Sequence, residues 1–489
     1  MDFTATYRHA ARECIAFSPG STFIAYVGGP RGTKVLVRVS GTLQIVRQWE
    51  FEQAINSLSW SRDGLFLLAS AHTTCKVGGV SYVLPLDPDA VVDDGSDDGR
   101  GWVAKLDAGP AGLHSADWLP VSRIPAVCQF SCFGIRAVIS SLVDQALFVV
   151  PNTHPILLSS PAWPEHYGVV QRENEVDYIA LYRSSNLDAP NIDTPVEWVR
   201  ERAIRLHTRN LNGVKWSPDG NYLCAWEHHL EYKAHVYALS GAHLATFQQI
   251  NGKAETTVAG SLVNRSLKAS QTTSSEVSGS TLGIRHVCWH PSSQFLALGG
   301  CDEAVRILTS TDWTEAYTLD LSDRNVNTTV WSEPHHWFEA TGGRGIVALE
   351  RVSGPFELRS PSTDRGDSVG ISELAWNASG SFLAAVNDAV PEAVFIFSFS
   401  LSDGVHLEGI MHLNMPVRTL SWNPKGDSLA AACETSAVYI WNGTSPEAVA
   451  VPNDGFSTMR VEWSPDGNAL LLAAQTSFCC AVNAEQDTQ

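Results

Sequence analysis

A short unit recurs along this chain, and it limits the possible folds more than any other feature. The unit is an apolar residue, any residue, Phe or Trp, a small polar residue, a turn, and then an apolar run. It reads CIAFSPGSTFIAYV around Phe17, LSWSRDGLFLLAS around Trp60, VKWSPDGNYLCAW around Trp216 and VCWHPSSQFLALGG around Trp289. It returns as LAWNASGSFLAAV at Trp376, LSWNPKGDSLAAA at Trp422 and VEWSPDGNALLLAA at Trp463. Weaker copies stand at Trp118, Trp163 and Trp331. With these included, successive aromatic anchors lie 43, 58, 45, 53, 73, 42, 45, 46 and 41 residues apart. Alternation around the aromatic residue makes a strand with one buried face, and the ring fills the space between neighbouring sheets. Ser-Pro-Asp-Gly turns tightly because Pro sets φ while Asp and Gly tolerate turn geometry. The aliphatic run that follows reads as a second strand covered on both faces.

A third β-rich run completes the pattern: KVLVRVS, HVYALSG, AVRILTS, AVFIFSF and AVYIWNG. Units of about 40–45 residues are the length of a four-stranded propeller blade. The chain is therefore expected to be all-β, a WD40-type β-propeller over 1–489 with about eight to ten degenerate blades, in one large ring or two tandem propellers. Of the Trp-Asp dipeptides typical of that fold, only Trp441 keeps the Trp, and Asn442 replaces the Asp. Phe17, Trp60, Trp216, Trp289, Trp376, Trp422 and Trp463 are expected to be structural anchors between blades. The last unit supplies three strands, ending in SFCCAV. The β-prone stretch from Phe3 to Tyr7 is expected to add the missing outer strand and so remove a free sheet edge.

Residues 251–280, NGKAETTVAGSLVNRSLKASQTTSSEVSGS, are rich in Ser, Thr and Ala and poor in aromatics, which predicts a disordered insertion. The acidic run DDGSDDG at 93–99 lacks the spacing and terminal Glu of a calcium-binding loop and reads as a solvated loop. His286, Cys288 and His290 alternate on one strand, but they flank the Trp289 anchor, where side chains pack; no metal site is assigned to them. Gly28 to Gly32 has no Lys-Ser/Thr ending and reads as a turn, and no catalytic or cofactor-binding motif appears. With 33 basic and 52 acidic residues the net charge is −19, and the basic residues form no run, which argues against nucleic acid and anionic membranes as partners. The first seventeen residues lack the apolar core of a secretory signal. Cysteines such as Cys14, Cys224 and Cys433 sit inside apolar runs, which fits buried thiols in a reducing compartment.

At LCAWEHHLEYKAHVYALSG (223–241), IRHVCWHPSSQFLALGGCDEAVRIL (284–308) and TDRGDSVGISELAWNASGSFLAAVNDAVPEAVFIF (363–397) the sequence resembles the WD-repeat family of centrosomes and spindle pole bodies. Its vertebrate member is encoded antisense to the tumour-protein seventy-three gene. The resemblance implies a non-enzymatic scaffold at the microtubule-organising centre. Members pair with a coiled-coil microtubule-anchoring protein and, in fungi, with a minus-end-directed motor of the kinesin-fourteen class, tethering microtubule minus ends. Two other functions remain open on the residues: an adaptor in ubiquitin ligation, translation or trafficking, and a pocket-bearing enzyme or sensor. Within the similar stretches, the connections WEHHLEYK (226–233) and NDAVPE (387–392) are longer than a bare turn requires. Trp226, Glu227, Tyr232, Asn387 and Asp388 are accordingly expected to form a partner-binding patch, aromatic anchors ringed by polar groups.

Overall fold

Each repeat folds into a meander of antiparallel strands, and the meanders stand side by side around one axis. The computed structural model describes residues 1–10, 13–72, 78–86, 102–120, 126–142, 147–163, 165–184, 197–228, 230–250, 253–258, 283–352, 354–358, 370–453 and 455–482. Among these residues there are nine sheets of four or more strands. In chain order their blades begin with the first strands Ile15–Phe17, Ser57–Trp60, Leu113–Trp118, Thr153–Ser159, Leu211–Trp216, Ile284–Trp289, Ile371–Trp376, Thr419–Trp422 and Arg460–Trp463. They are numbered blades 1 to 9 below. Blade 9 takes Asp2–Phe3 and Tyr7–Arg8 as its outer strand, both antiparallel to Ser477–Val482. The two ends of the chain thus close one ring, as the short N-terminal β-prone stretch predicts.

The first strands line the axis, and a repeated hydrogen bond sets their spacing. The indole Nε1 of Trp60 donates to Ala16 O (3.2 Å) and that of Trp118 to Ser59 O (3.1 Å). Trp289 donates to Lys215 O (3.2 Å), Trp422 to Ala375 O (3.0 Å) and Trp463 to Ser421 O (3.1 Å). In each case the acceptor is the residue just before the aromatic anchor of the preceding blade. The Trp therefore both fills the inter-blade space and ties its own first strand to that of the preceding blade.

The turns at the base of each blade are built locally and then joined. Ser217 Oγ accepts from Tyr222 N (2.9 Å) and donates to Asp219 (2.5 Å); Ser464 does the same with Ala469 and Asp466. Neighbouring turns are stapled, Asp219 N to Ser293 Oγ and Asp466 N to Ser21 Oγ, each at 3.0 Å. In blade 6 His290 replaces the serine and its Nε2 meets Gly380 O at 3.0 Å. Gly380 is held at φ +77°, and a Cβ there would lie 2.2 Å from that nitrogen, so only glycine serves.

There are nine blades among the described residues, within the expected eight to ten, and the structure corrects three other expectations. Trp163 is not on a first strand but in the turn after Thr153–Ser159. Trp331 belongs to no blade of its own: it lies in a strap between blades 6 and 7 that is described over 321–352 and 354–358. There Val330–Ser332 pairs parallel with the outer strand of blade 7, Gly404–His412, and Ile346–Ala348 pairs with the outer strand of blade 8, Pro446–Ala450. Finally, part of the insertion is regular, because Lys253–Val258 forms a fifth strand of blade 5 against His243–Ile250. Residues 259–280 lie outside the described residues. So does the DDGSDDG run.

One carboxylate locks the strap to the ring. Glu333 is buried, accepting from Trp337 Nε1 (2.7 Å) and the Tyr439 hydroxyl (2.9 Å) at Oε1 and from Asn414 N (2.8 Å) at Oε2. Tyr439 is on blade 8 and Asn414 is in the link between blades 7 and 8, so the strap bridges their seam.

Candidate functional site

The connections between second and third strands, and those between fourth and first strands, share the face opposite the base turns. On blades 5, 6 and 7 this face carries a network of charged side chains. It starts in the third strand of blade 6, Ala304–Thr309, where Arg306 sits among aliphatic neighbours and is almost fully buried. A guanidinium stays charged in such a place only if it is paired. Arg306 donates to the Tyr232 hydroxyl of blade 5 (2.6 Å) and to Asp302 (2.6 Å), with its guanidinium 5.0 Å from the centre of the Tyr232 ring. Two further links join blade 6 to blade 7. Arg285 pairs with Asp388 at 2.6 Å, and Asn387 Nδ2 donates to Glu303 (2.6 Å), which also receives Arg324 (2.5 Å).

The five predicted patch residues lie along this face in two sets, three on blade 5 and two on blade 7 with blade 6 between them, and most of them face inward. Trp226 packs in the core shared by blades 5 and 6, lying across Gly213, where a Cβ would come within 2.3 Å of its ring. Glu227 is buried and accepts from the backbone amides of Arg209 and Asn210, both at 2.8 Å. Tyr232 is only 4% exposed and Asn387 is fully buried. These four therefore hold blades together rather than present a surface to a partner. Asp388 alone keeps appreciable access, its side chain 28% exposed beside Arg285. The physical reason is the adjacent blade: each elaborated connection meets side chains of blade 6, so its large side chains fill the seam. Arg306, Arg285 and Arg324 are absent from the sequence-based set. The readable signal was an arginine inside AVRIL, a run that must be buried and so must supply a counter-charge.

Electrostatics around the axis follow from burial. His286, on the first strand of blade 6, is held below the usual histidine range by burial and by Lys215 and Arg285 nearby. Glu373, on the first strand of blade 7, is pushed up by burial and by Asp388. His286, Cys288 and His290 do not converge: His290 faces the turn at Gly380, and among the described residues no group of three such side chains is arranged to hold a metal ion. Burial raises the thiols of Cys14, Cys128, Cys224, Cys433, Cys479 and Cys480, so these are poor nucleophiles. The arrangement suits rigid recognition by a shaped surface.

Blade 5 holds a histidine cluster whose acid response can be predicted. His235, His243 and His207 lie with ring centres 4.5 to 6.1 Å apart. Burial, then His243, Lys233 and His207, push His235 down from 6.5 to about 3, and His207 and His243 are also lowered. A histidine whose folded value is depressed stabilises the fold fully above its unfolded value of 6.5 and progressively less as pH falls towards its folded value. The melting temperature should therefore drop between pH 7 and pH 5, and a His235→Gln variant should show a smaller drop. Equal drops in the two proteins would remove His235 from the account.

The WD domain, G-beta repeat family model matches residues 271–308 and 409–442, which span the first three strands of blade 8 and, but for Thr309, those of blade 6. Among curated proteins, the chain is similar to the WD repeat-containing protein WRAP73 of Mus musculus, 26% identical over 503 residues, covering 98% of this chain and 95% of that one. It is also similar to an uncharacterised WD repeat-containing protein of Schizosaccharomyces pombe, 20% identical, covering 95% of this chain and 88% of that one. Among solved structures, the Sqt1 protein of Chaetomium thermophilum aligns over 90% of this chain and 97% of its own, at 13% identity and a TM-score of 0.47.

Proposed function

We propose that this chain, a WD40-repeat propeller, is a non-enzymatic protein-interaction scaffold of the spindle pole and centrosome. In this role it binds a coiled-coil microtubule-anchoring protein and a minus-end-directed motor of the kinesin-fourteen class, and so tethers microtubule minus ends. The observation that carries the reading is the likeness to WRAP73 along nearly the whole length of both chains, rather than over a few repeats that any propeller shares. The architecture supports it: nine blades stapled at base turns, indoles and the charged seams of blades 5 to 7 make a stiff ring, and stiffness lets surface loops present fixed contacts.

The test is affinity purification of the tagged full chain from dividing cells, followed by mass spectrometry and imaging of the tag. The coiled-coil anchoring protein and the motor should co-purify, and the tag should concentrate at spindle poles. Recovery instead of ubiquitin-ligase, translation or trafficking subunits would overturn the proposal in favour of a different adaptor. Asp388→Ala probes the charged face with least damage to the fold, because Asp388 is the accessible member of the predicted patch. It should weaken capture of the anchoring protein while leaving the melting temperature nearly unchanged. Tyr232→Ala should instead lower the melting temperature, since it strips Arg306 of an acceptor inside the seam between blades 5 and 6.

A further inference from the structure

The outer strands of the ring are its free sheet edges, and such edges are normally guarded by charge, by proline or by a covering segment. Those of most blades follow the rule, carrying for example Arg47, Lys105, Arg202, Glu315 or Glu350. Blade 8 ends on the three-residue strand Ile346–Ala348, between Arg344 and Glu350. Blade 3 differs. Its outer strand, Leu147–Pro151, reads LFVVP, with no charge at all. It pairs with Arg136–Ser141 on one side, and among the described residues no strand pairs with its other side. Leu147 is 70% and Val149 43% exposed.

Past the end of the strand, beyond the exposed Arg136 that pairs with Pro151, lies a second apolar patch. Thr153 N donates to Ile135 O (2.8 Å), tying the start of blade 4 to the hairpin tip of blade 3. At that tip Ile135 and Phe133 are also exposed, Phe133 by 87%. The tip is a tight turn in which both Cys132 (φ +54°) and Phe133 (φ +58°) adopt the left-handed conformation that non-glycine residues avoid. Thr153 Oγ1, donating to Gly134 O at 2.7 Å, helps hold it. The strained turn thus holds an aromatic side chain in solvent, next to an edge guarded only by Pro151 at its end.

We infer that the outer edge of blade 3 takes up an extended segment of a partner polypeptide as an added β-strand. The segment is apolar where it pairs with Leu147 to Val150, reaches Phe133 with one end, and is basic on its flanks. Three observations support this occupant. First, strand addition at outer edges is already how this chain covers itself: Val330–Ser332 adds to blade 7, Ile346–Ala348 to blade 8 and Asp2–Phe3 to blade 9. Second, an edge without charge accepts an uncharged strand without burying or opposing a charged side chain, whereas the charged edges of other blades resist one. Third, the chain carries a net charge of −19, which attracts a segment with basic flanks and repels a second copy of this chain. Pro151 cannot donate from its nitrogen, so pairing stops there and the register is limited to the four residues before it. Main-chain bonds then supply affinity, and the exposed side chains supply selectivity.

The inference rests on the scaffold reading above and names one way in which the scaffold captures a partner. It is tested on the full chain with fluorescein-labelled synthetic peptides about ten residues long, followed by anisotropy. One has an alternating Val-Thr centre with lysine flanks, a second has proline in the centre, and a third has glutamate flanks. The lysine-flanked peptide should bind saturably and slow amide exchange at Phe148 to Val150. The other two peptides should bind at least about tenfold more weakly, as should the lysine-flanked peptide to an L147K/V149K variant. Both replaced side chains are exposed, so the variant's melting temperature should match wild type; if it does not, F133S, which leaves the edge intact, should still weaken binding. Absence of saturable binding, or binding indifferent to L147K/V149K and to the central proline, overturns the inference. So does sedimentation showing that wild type dimerises and L147K/V149K does not, which would make the occupant a second copy. Failure of the peptides with success of the affinity purification rejects the edge and keeps the scaffold; the reverse rejects the assigned partners and keeps the edge.

Discussion

Replacing Trp289 with alanine should destabilise the ring by about 3–5 kcal/mol, the range for removing a large aromatic side chain from a packed core. The residue is 7% exposed, stacks near Tyr222 with ring centres 6.3 Å apart and meets Trp313 edge-on at 6.1 Å. Its loss also removes the indole bond to Lys215 O, one of two hydrogen bonds between these first strands, the other running from Lys215 Nζ to Val287 O at 2.8 Å. Trp216 supplies the control. It occupies the same place in its repeat, but it is only partly buried and its indole nitrogen has no hydrogen-bond partner in the structure. Trp216→Ala should therefore cost clearly less, about 2 kcal/mol. Equilibrium denaturation of both variants measures the difference; equal losses would mean that the inter-blade hydrogen bond contributes nothing.

The second large effect is expected at Glu333. Glu333→Ala orphans two donors, Trp337 Nε1 and Asn414 N, and leaves the Tyr439 hydroxyl with only its 3.3 Å contact to Thr435 Oγ1. Each buried donor left unpaired costs about 1–3 kcal/mol, so the sum should be on the order of 3 kcal/mol or more. The loss should also be local. The strap should lift before the ring melts, so that trypsin cleaves after the exposed Arg344 faster than in wild type. Glu333→Gln keeps the volume and one carbonyl acceptor and should lose about half as much. A variant with wild-type stability and unchanged cleavage would show that the strap is held by its two added strands alone. Glu333 matters here because it fixes the only described segment that crosses a seam from outside the blades, and the strands it positions are the ring's own example of edge pairing.

What the sequence determined on its own was the blade. A two-residue alternation ending in an aromatic ring, then Ser-Pro-Asp-Gly, then an aliphatic run encodes the inner strand, its turn and its buried neighbour, because all three depend on residues close in the chain. Phe17, Trp60, Trp289, Trp376, Trp422 and Trp463 could be placed on first strands for that reason, and Phe3 to Tyr7 could be matched to the three-stranded last unit. What only the tertiary structure decided was where one blade meets the next. Trp331 carries a blade-like local pattern, but it pairs with an outer strand far along the chain, and nothing in its own neighbours announces that. Tyr232 and Asn387 look like surface groups on generous loops. They are buried because Arg306 and Glu303 arrive from the adjacent blade to receive them. Likewise, the apolar run LFVVP reads as an ordinary core strand until its place at the outer edge of blade 3 leaves Leu147 and Val149 in solvent. Local periodicity decides which face of a strand is apolar. The closure of nine blades around one axis decides what, if anything, covers that face.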